Sequence, residues 1–230
     1  MKNTNTDVNV VMLTHNRPNL TRQSIESLYA HTDEHRFNLT IVDDGSDLDT
    51  IKVISEYVDR PNMTLLEVIH SDHVLGKLKN LGVVWSQMLF GEGRFLCICD
   101  NDVYFKPNWL GRMMSTYRAH LTLGLLGGQV HPYHEVSESR GTLQVTTNVA
   151  GYTHFMSWSS WDLNGPYEMD CNSGIGMLED VLFCDKVRGE DLLIGYISPP
   201  AILHTGSTDS NGNPAVGSEA FEKVAGVLYE

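Results

Sequence analysis

Positive charge is scarce in this chain: 16 lysines and arginines face 29 aspartates and glutamates, for a formal net charge of −13. Such a surface repels a phosphate backbone, so tight nucleic-acid binding is not expected unless the basic residues cluster. A small anionic ligand is a different matter, because a bound metal ion reverses the sign of the field just where phosphates sit. Long apolar runs are also missing. Val8 to Leu13 and Leu123 to Leu126 are the longest, far below the roughly 20 residues that span a bilayer, so no membrane span is expected. The polar start, Met1 to Asp7, lacks the basic, apolar and small-residue order of a secretory signal, which makes a cytoplasmic location the default expectation. Cysteines number only four, Cys97, Cys99, Cys171 and Cys184. Their one close pair, a C-x-C in an apolar run, points to one face of a sheet, and structural zinc wants a second pair at matching spacing; buried thiols follow.

What the sequence does contain is 230 residues, 41% of them hydrophobic, enough for one large α/β domain over residues 1–230. Val8 to Leu13 reads as a strand buried on both faces and ends at Thr14-His15-Asn16-Arg17-Pro18. Pro18 opens a helix whose Leu20, Ile25, Leu28 and Tyr29 recur near helical spacing. A second strand, Leu39 to Val42, runs into Asp43-Asp44-Gly45-Ser46; a helix over 48–58 and a strand over 64–69 follow. Gly76 to Leu89 reads as helical, and Arg94 to Cys99 as a strand that runs straight into Asp100-Asn101-Asp102. Strand and helix thus alternate four times before residue 121, the pattern of a mixed, mostly parallel sheet flanked by helices, with ligands beyond the carboxyl ends of the strands. The second half is less regular. A helix over 109–121, a strand over 123–127 and an alternating segment over 142–150 precede residues 151–176, whose Gly, Trp, Asn and Ser suggest loops around a site. Helix over 179–187, strand over 193–197 and a final amphipathic helix over 218–228 complete the reading.

The D-x-D at Asp100 and Asp102 is the sharpest chemical feature. Two carboxylates beside one another at a strand end repel, and a hard divalent cation bridging them to a diphosphate offsets that repulsion; an acidic pair capping a helix or filling a turn is the plain alternative. Asp43-Asp44-Gly45-Ser46 also follows a buried strand, with glycine for the tight turn and carboxylates suited to a ribose or a base edge. Gly174-Ile175-Gly176 has neither the third glycine nor a leading strand of a dinucleotide fingerprint and is set aside.

Together, Leu13-Thr14-His15-Asn16-Arg17, Val42-Asp43-Asp44-Gly45-Ser46, Gly76 with Lys77 and Asn80, Asp100-Asn101-Asp102, Glu179-Asp180 and His204 resemble, in order and spacing, glycosyltransferases of the GT-A (Rossmann-like) fold, most closely the family 2 group. The resemblance runs from Val8 to His204. It implies a nucleotide-binding half over about residues 8–104 and an acceptor-binding half over about 105–230. It implies hexosyl or N-acetylhexosaminyl transfer from a nucleotide-sugar donor, a UDP-sugar first, to an acceptor hydroxyl with Mn2+ or Mg2+; the acidic pair points to inversion, while a metal-ligating histidine in the place of His204 also occurs in retaining relatives of the fold. Thr14, Asn16, Arg17, Asp43, Asp44, Lys77, Asn80, Asp100 and Asn101 are then assigned to the donor, and Asp100, Asp102 and His204 to the metal. Asp180 is assigned as catalytic base with Glu179 beside it, and Trp158, Trp161 and Asp162 to the acceptor, where core packing is an equal reading of the rings. Lys79 reads as a solvated helix charge, and Glu190-Asp191 as a rival acidic pair lying in a turn. Two other classes compete: a nucleotidyltransferase, whose Gly-rich basic loop after the first strand is absent, and a non-catalytic nucleotide- or sugar-binding module.

Overall fold

The computed structural model describes residues 6–68, 73–132, 134–168 and 179–206. In chain order the elements are β1 (Val8–Thr14), α1 (Pro18–His31), β2 (Phe37–Asp43), α2 (Leu48–Ser55), β3 (Met63–Glu67), α3 (Leu75–Phe90), β4 (Phe95–Asp100), β5 (Val103–Phe105), α4 (Trp109–Ala119), β6 (Leu123–Gly127), β7 (Val136–Arg140), β8 (Leu143–Thr146), β9 (Thr153–Ser157), α5 (Trp158–Asn164), α6 (Glu179–Gly189), β10 (Leu193–Ile197) and β11 (Ile202–His204). Among the described residues nine strands form one sheet in the order β3-β2-β1-β4-β9-β6-β10-β8-β7, and β11 pairs with β5 in a separate ribbon. The first four strands run parallel, β9 lies antiparallel between β4 and β6, and β6 and β10 run parallel beyond it.

β1 and β2 are buried at every residue, as parallel strands covered on both faces must be. Alternate side chains divide the interior in two. Val8, Val10 and Met12 pack with Ile25 and Leu28 of α1, Val53 and Ile54 of α2, and Trp109 and Met113 of α4. Val11 and Leu13 face the opposite layer, with Leu78 and Val83 of α3, Trp158 of α5 and Phe183 of α6. The chain therefore changes faces between α2 and α3: it travels outward from β1 to β3, then returns across the sheet to β4 on the other side, since right-handed crossovers in opposite directions place their helices on opposite faces. α3 rides close to the sheet because Gly82 has no side chain; a β-carbon there would lie 2.5 Å from Val11 and 2.6 Å from Val42.

The alternation in the first half agrees with the sequence reading, element by element. The expectation of loops over residues 151–176 does not hold for 153–164: Thr153 to Met156 are buried in β9, in the middle of the sheet, and Trp158–Asn164 is helix α5. β9 mixes Thr, His, Phe and Met and is enclosed on both sides, so it lacks the two-residue alternation that marks a half-exposed strand. Its Phe155 stacks on Phe95 of β4 at 4.9 Å between ring centroids. Cys97, Cys99 and Cys184 are buried free thiols, as expected. Cys171, Gly174 to Gly176 and the expected helix over 218–228 lie outside the described residues.

Candidate active site

The strand register brings the sequence motifs to one edge. Thr14 lies opposite Asp43 and Leu13 opposite Asp100, so the loop after β1, the turn after β2 and the D-x-D after β4 leave the sheet at one level. That level flanks the point where the helices change faces, the general ligand position of open α/β sheets. Asn16 and Arg17 hold left-handed backbone, with φ of 55° and 62°, a conformation costly for residues with a β-carbon and kept only where neighbours over-determine it. The neighbours here are polar. The Asn16 backbone N–H donates to Ser46 Oγ at 2.8 Å, the Asp47 N–H donates to Asn16 Oδ1 at 2.8 Å, and Asn101 Nδ2 donates to the Asn16 carbonyl at 2.9 Å. Asn16 and Asn101, expected to meet the donor, thus use these groups to tie three loops together. Acceptor atoms do remain: Thr14 Oγ1, Asp43 Oδ1 and Asp44 Oδ1 are buried without a hydrogen-bond partner.

Asp102 is the centre of the next group. Arg17 Nη1 donates to its Oδ2 at 2.5 Å, and His204 Nε2 stands 3.3 Å from its Oδ1. Arg17 therefore meets the D-x-D rather than the turn after β2. His204 arrives through β11, where it pairs with Val103, and its ring stacks on Tyr152 at 4.6 Å. Behind Asp102 the chain is Gly206, where a β-carbon would lie 1.7 Å from Oδ2, so only glycine fits. Burial first, and the Asp102 carboxylate second, push the Asp100 carboxyl up to about 6. Burial opposes charge on Asp102 and His204 as well, but each is the other's counter-ion, and Asp102 is held below and His204 above its ordinary range. Asp100 is thus buried with its charge only partly compensated, and Asp102 Oδ1, although His204 stands near it, has no hydrogen-bond partner. Two closely set carboxylates and an imidazole form an oxygen and nitrogen donor set that fits a divalent cation.

Across from this group, helix α6 begins with Glu179 and Asp180. Asp180 Oδ2 accepts from the Gly151 N–H at 3.0 Å and Oδ1 from the Val181 N–H at 2.8 Å. Burial, then the Glu179 charge, raise its carboxyl above the ordinary range. The residue after Gly151 is Tyr152, whose carbonyl accepts from the Asp100 N–H at 3.2 Å, so two consecutive residues join the Asp180 and Asp100 groups. Glu179 is committed elsewhere: its Oε1 accepts from Lys79 Nζ at 2.9 Å. The reading of Lys79 as a solvated charge is overturned. Lys79 is 1% exposed, with its Nζ 5.0 Å over the Tyr167 ring, because it lies on the buried face of α3, which comes close to the start of α6 at Gly76, where a β-carbon would lie 3.4 Å from Glu179 Cβ.

The remaining expected site residues scatter. Asn80 is spent on backbone, donating to the Tyr167 carbonyl at 2.9 Å and accepting from its N–H at 2.8 Å, and Lys77 lies exposed on α3. Trp158 is 4% exposed within the second core, so core packing is the reading that holds for its ring. Trp161 is half-buried against Phe183 at 6.2 Å, and Asp162 is exposed. Glu190 and Asp191 lie in the turn after α6. The sequence reading missed Lys79 as a partner of Glu179, Gly151 and Tyr152 as the bridge, and His73, which faces Asp44. Of these only Lys79 had a signal, its helical phase with Gly82, Val83 and Ser86.

No functionally curated protein matches the sequence. Among solved structures the chain is similar to residues 1–349 of TarS from S. aureus, at a TM-score of 0.66 and 18% identity over 86% of this chain and 59% of that one. It is similar to the same protein in complex with UDP-GlcNAc, at 0.64 and 17% over 89% and 62%. A mannosyltransferase from Pyrobaculum calidifontis, PcManGT, in complex with GDP-Man and Mn2+, matches at 0.66 and 18% over 86% and 56%. The chain thus spans less than two thirds of the length of each, and these likenesses establish the fold, a GT-A sheet flanked by helices. The sequence also matches the model of glycosyl transferase family 2 over residues 9–177, from within β1 to beyond α5, and that match, well over half of the chain, makes the protein a member of the family.

Proposed function

We propose that the protein transfers a sugar, hexosyl or N-acetylhexosaminyl, from a UDP-sugar to an acceptor hydroxyl with inversion. The observation that carries the reading is the junction of Asp100, Asp102 and His204 with Asp180 through Gly151 and Tyr152, which sets a carboxylate and imidazole group suited to a cation beside a separately held carboxylate of raised basicity. Asp100, Asp102 and His204 would hold Mn2+ or Mg2+, which supplies the charge that a diphosphate leaving group needs. Thr14, Asp43 and Asp44 offer buried, unpartnered oxygens to the nucleoside, with Asp44 toward the base. Arg17 reaches the same edge, where a guanidinium released from Asp102 suits a phosphate. Asp180, oriented by two backbone N–H groups, takes the acceptor's hydroxyl proton as the new oxygen–anomeric carbon bond forms and the bond to the diphosphate breaks. Glu179, neutralised by Lys79, positions α6 rather than reacting. Trp161 and Asp162 on α5 are the acceptor-side contacts in this reading, and location in the cytoplasm fits a nucleotide-sugar donor. Among the described residues no helix is long and apolar enough to cross a membrane.

Donor binding tests the reading. UDP should raise the melting temperature with Mn2+ and do so far less with a chelator, and at 100 times its dissociation constant it should add about 2.7 kcal/mol. Asp102→Ala should remove the metal dependence, and His204→Ala should weaken metal affinity without unfolding the chain. Equal UDP affinity with and without metal in the wild type refutes the metal assignment.

A further inference from the structure

A second set of ligating side chains lies at the same sheet edge, on the side away from the D-x-D. His15 follows β1, Asp44 follows β2 and His73 comes after β3. One ligand atom from each lies within 4.8 Å of the others. Asp44 is 5% exposed; its Oδ2 accepts from His73 Nδ1 at 2.7 Å, while its Oδ1 is buried with no hydrogen-bond partner. His15 Nδ1 stands 2.8 Å from the Asp44 carbonyl oxygen. A carbonyl only accepts, so Nδ1 carries the proton and the lone pair of His15 lies on Nε2, which faces Asn16 Nδ2 at 3.1 Å. An imidazole fixed in one tautomer by donating its other N–H to a backbone carbonyl is the usual support of a metal-ligating histidine.

An ordinary structural role accounts for part of this arrangement. A carboxylate paired with one imidazole needs neither the second ring nor an idle buried oxygen, and buried polar atoms seldom go unpartnered without cause. The rings of His15 and His73 approach edge to face at 5.3 Å, converging on Asp44 from two loops that the sequence does not relate. Two imidazoles and one carboxylate suit zinc and its neighbours in the transition series; magnesium and calcium take oxygen. Both histidines are exposed, so an ion there keeps a position open to solvent.

We propose that His15, Asp44 and His73 form a transition-metal site of the zinc class, separate from the Asp100, Asp102 and His204 group, and that filling it excludes the nucleoside. The exclusion rests on the reading of Asp44 as a base contact given above; the metal binding does not, because it needs no nucleotide. An ion held by Asp44 takes the carboxylate that the base would use, so zinc inhibits transfer even where manganese supports it.

The test uses untagged, metal-depleted protein. Calorimetric titration of Asp102→Asn, which disables the other group, should show one equivalent of Zn2+ bound, and Co2+ in its place should show the visible absorption of a low-coordinate nitrogen and oxygen site. Adding His73→Ala, or independently His15→Ala, should weaken Zn2+ by more than about 10-fold, the least that even an outer partner of a ligand contributes. Both histidines are exposed, and far-UV circular dichroism verifies that the variants fold. Loss of Zn2+ binding in Asp102→Asn alone, or unchanged binding after both histidine substitutions, overturns the site. A UDP titration at fixed Zn2+, compared between wild type and His73→Ala so that chelation in solution is common to both, should show weaker UDP binding only in the wild type. Zn2+ bound at the site with UDP affinity unaffected overturns the exclusion and counts against the placement of the base at Asp44.

Discussion

Replacing Lys79 by methionine keeps most of the side chain's apolar volume and removes its charge from a position that is 1% exposed. At 2.9 Å and an effective dielectric of about 20, the gross attraction to Glu179 is about 6 kcal/mol, most of which offsets the cost of taking both charges out of water. The pair as a whole is therefore worth little beyond apolar packing, whereas losing one member leaves the other buried and uncompensated, at a cost of about 3–5 kcal/mol. For a chain of this size that is a fall in melting temperature of about 6–20 °C. An exposed pair would cost less than about 1 kcal/mol. Urea unfolding of Lys79→Met, Glu179→Leu and the double variant decides between them. Each single variant should lose about 3–5 kcal/mol, and the double should recover most of that loss. The lysine also holds down the titrations of Asp100 and Asp180, so Lys79→Met should raise both further. A loss below about 1 kcal/mol, or a double variant as unstable as the two singles combined, refutes the account of α3 and α6 as joined by a buried ion pair.

Asp180→Asn keeps size and much of the hydrogen bonding but cannot take a proton, so transfer should fall about 10²–10⁴-fold with UDP affinity intact, while Asp191→Asn in the turn leaves transfer nearly unchanged; the opposite pattern would assign the base to the turn. Because burial raises the Asp180 carboxyl, and only its ionised form accepts the proton, the rate should fall with decreasing pH along an acid limb that lies above the ordinary carboxylate range, and a limb at or below that range would remove Asp180 as the base. His154 of β9 is a pH liability of a different kind: burial, then Lys79, lower its titration to about 3, and its Nε2 donates to the Val149 carbonyl at 3.1 Å while its Nδ1 accepts from the Tyr167 hydroxyl at 2.6 Å. The unfolded chain binds that proton from about pH 6.5 downward and the folded chain does not until about 3, so His154 should contribute a loss of about 2 kcal/mol between pH 7 and 5, visible as a steeper stability profile than that of His154→Gln; equal slopes would refute it.

Periodicity is a local property, and where local properties decided the structure the sequence was legible. Val8 to Leu13 and Leu39 to Val42 are apolar enough to be buried on both faces, the helices between them carry one apolar stripe, and each strand stops where Thr14, Asp43 or Asp100 begins a polar loop. Parallel pairing of such strands makes their carboxyl ends coincide, so the first three motifs had to meet once the sheet formed. Tertiary structure decided the rest, because the partners lie far apart in the chain and no repeat in either segment records the other. Lys79 finds Glu179 across 100 residues only because α3 and α6 cover the same face of the sheet. His204 reaches Asp102 only through the β5 and β11 ribbon, and Asp180 reaches the D-x-D only because β9 inserts beside β4 and carries Gly151 and Tyr152 with it. β9 itself was illegible for the same reason that it is central: enclosed on both faces, it has no polar side to mark its period, and its polar members, Thr153 and His154, are tolerated by hydrogen bonds that only the folded chain supplies.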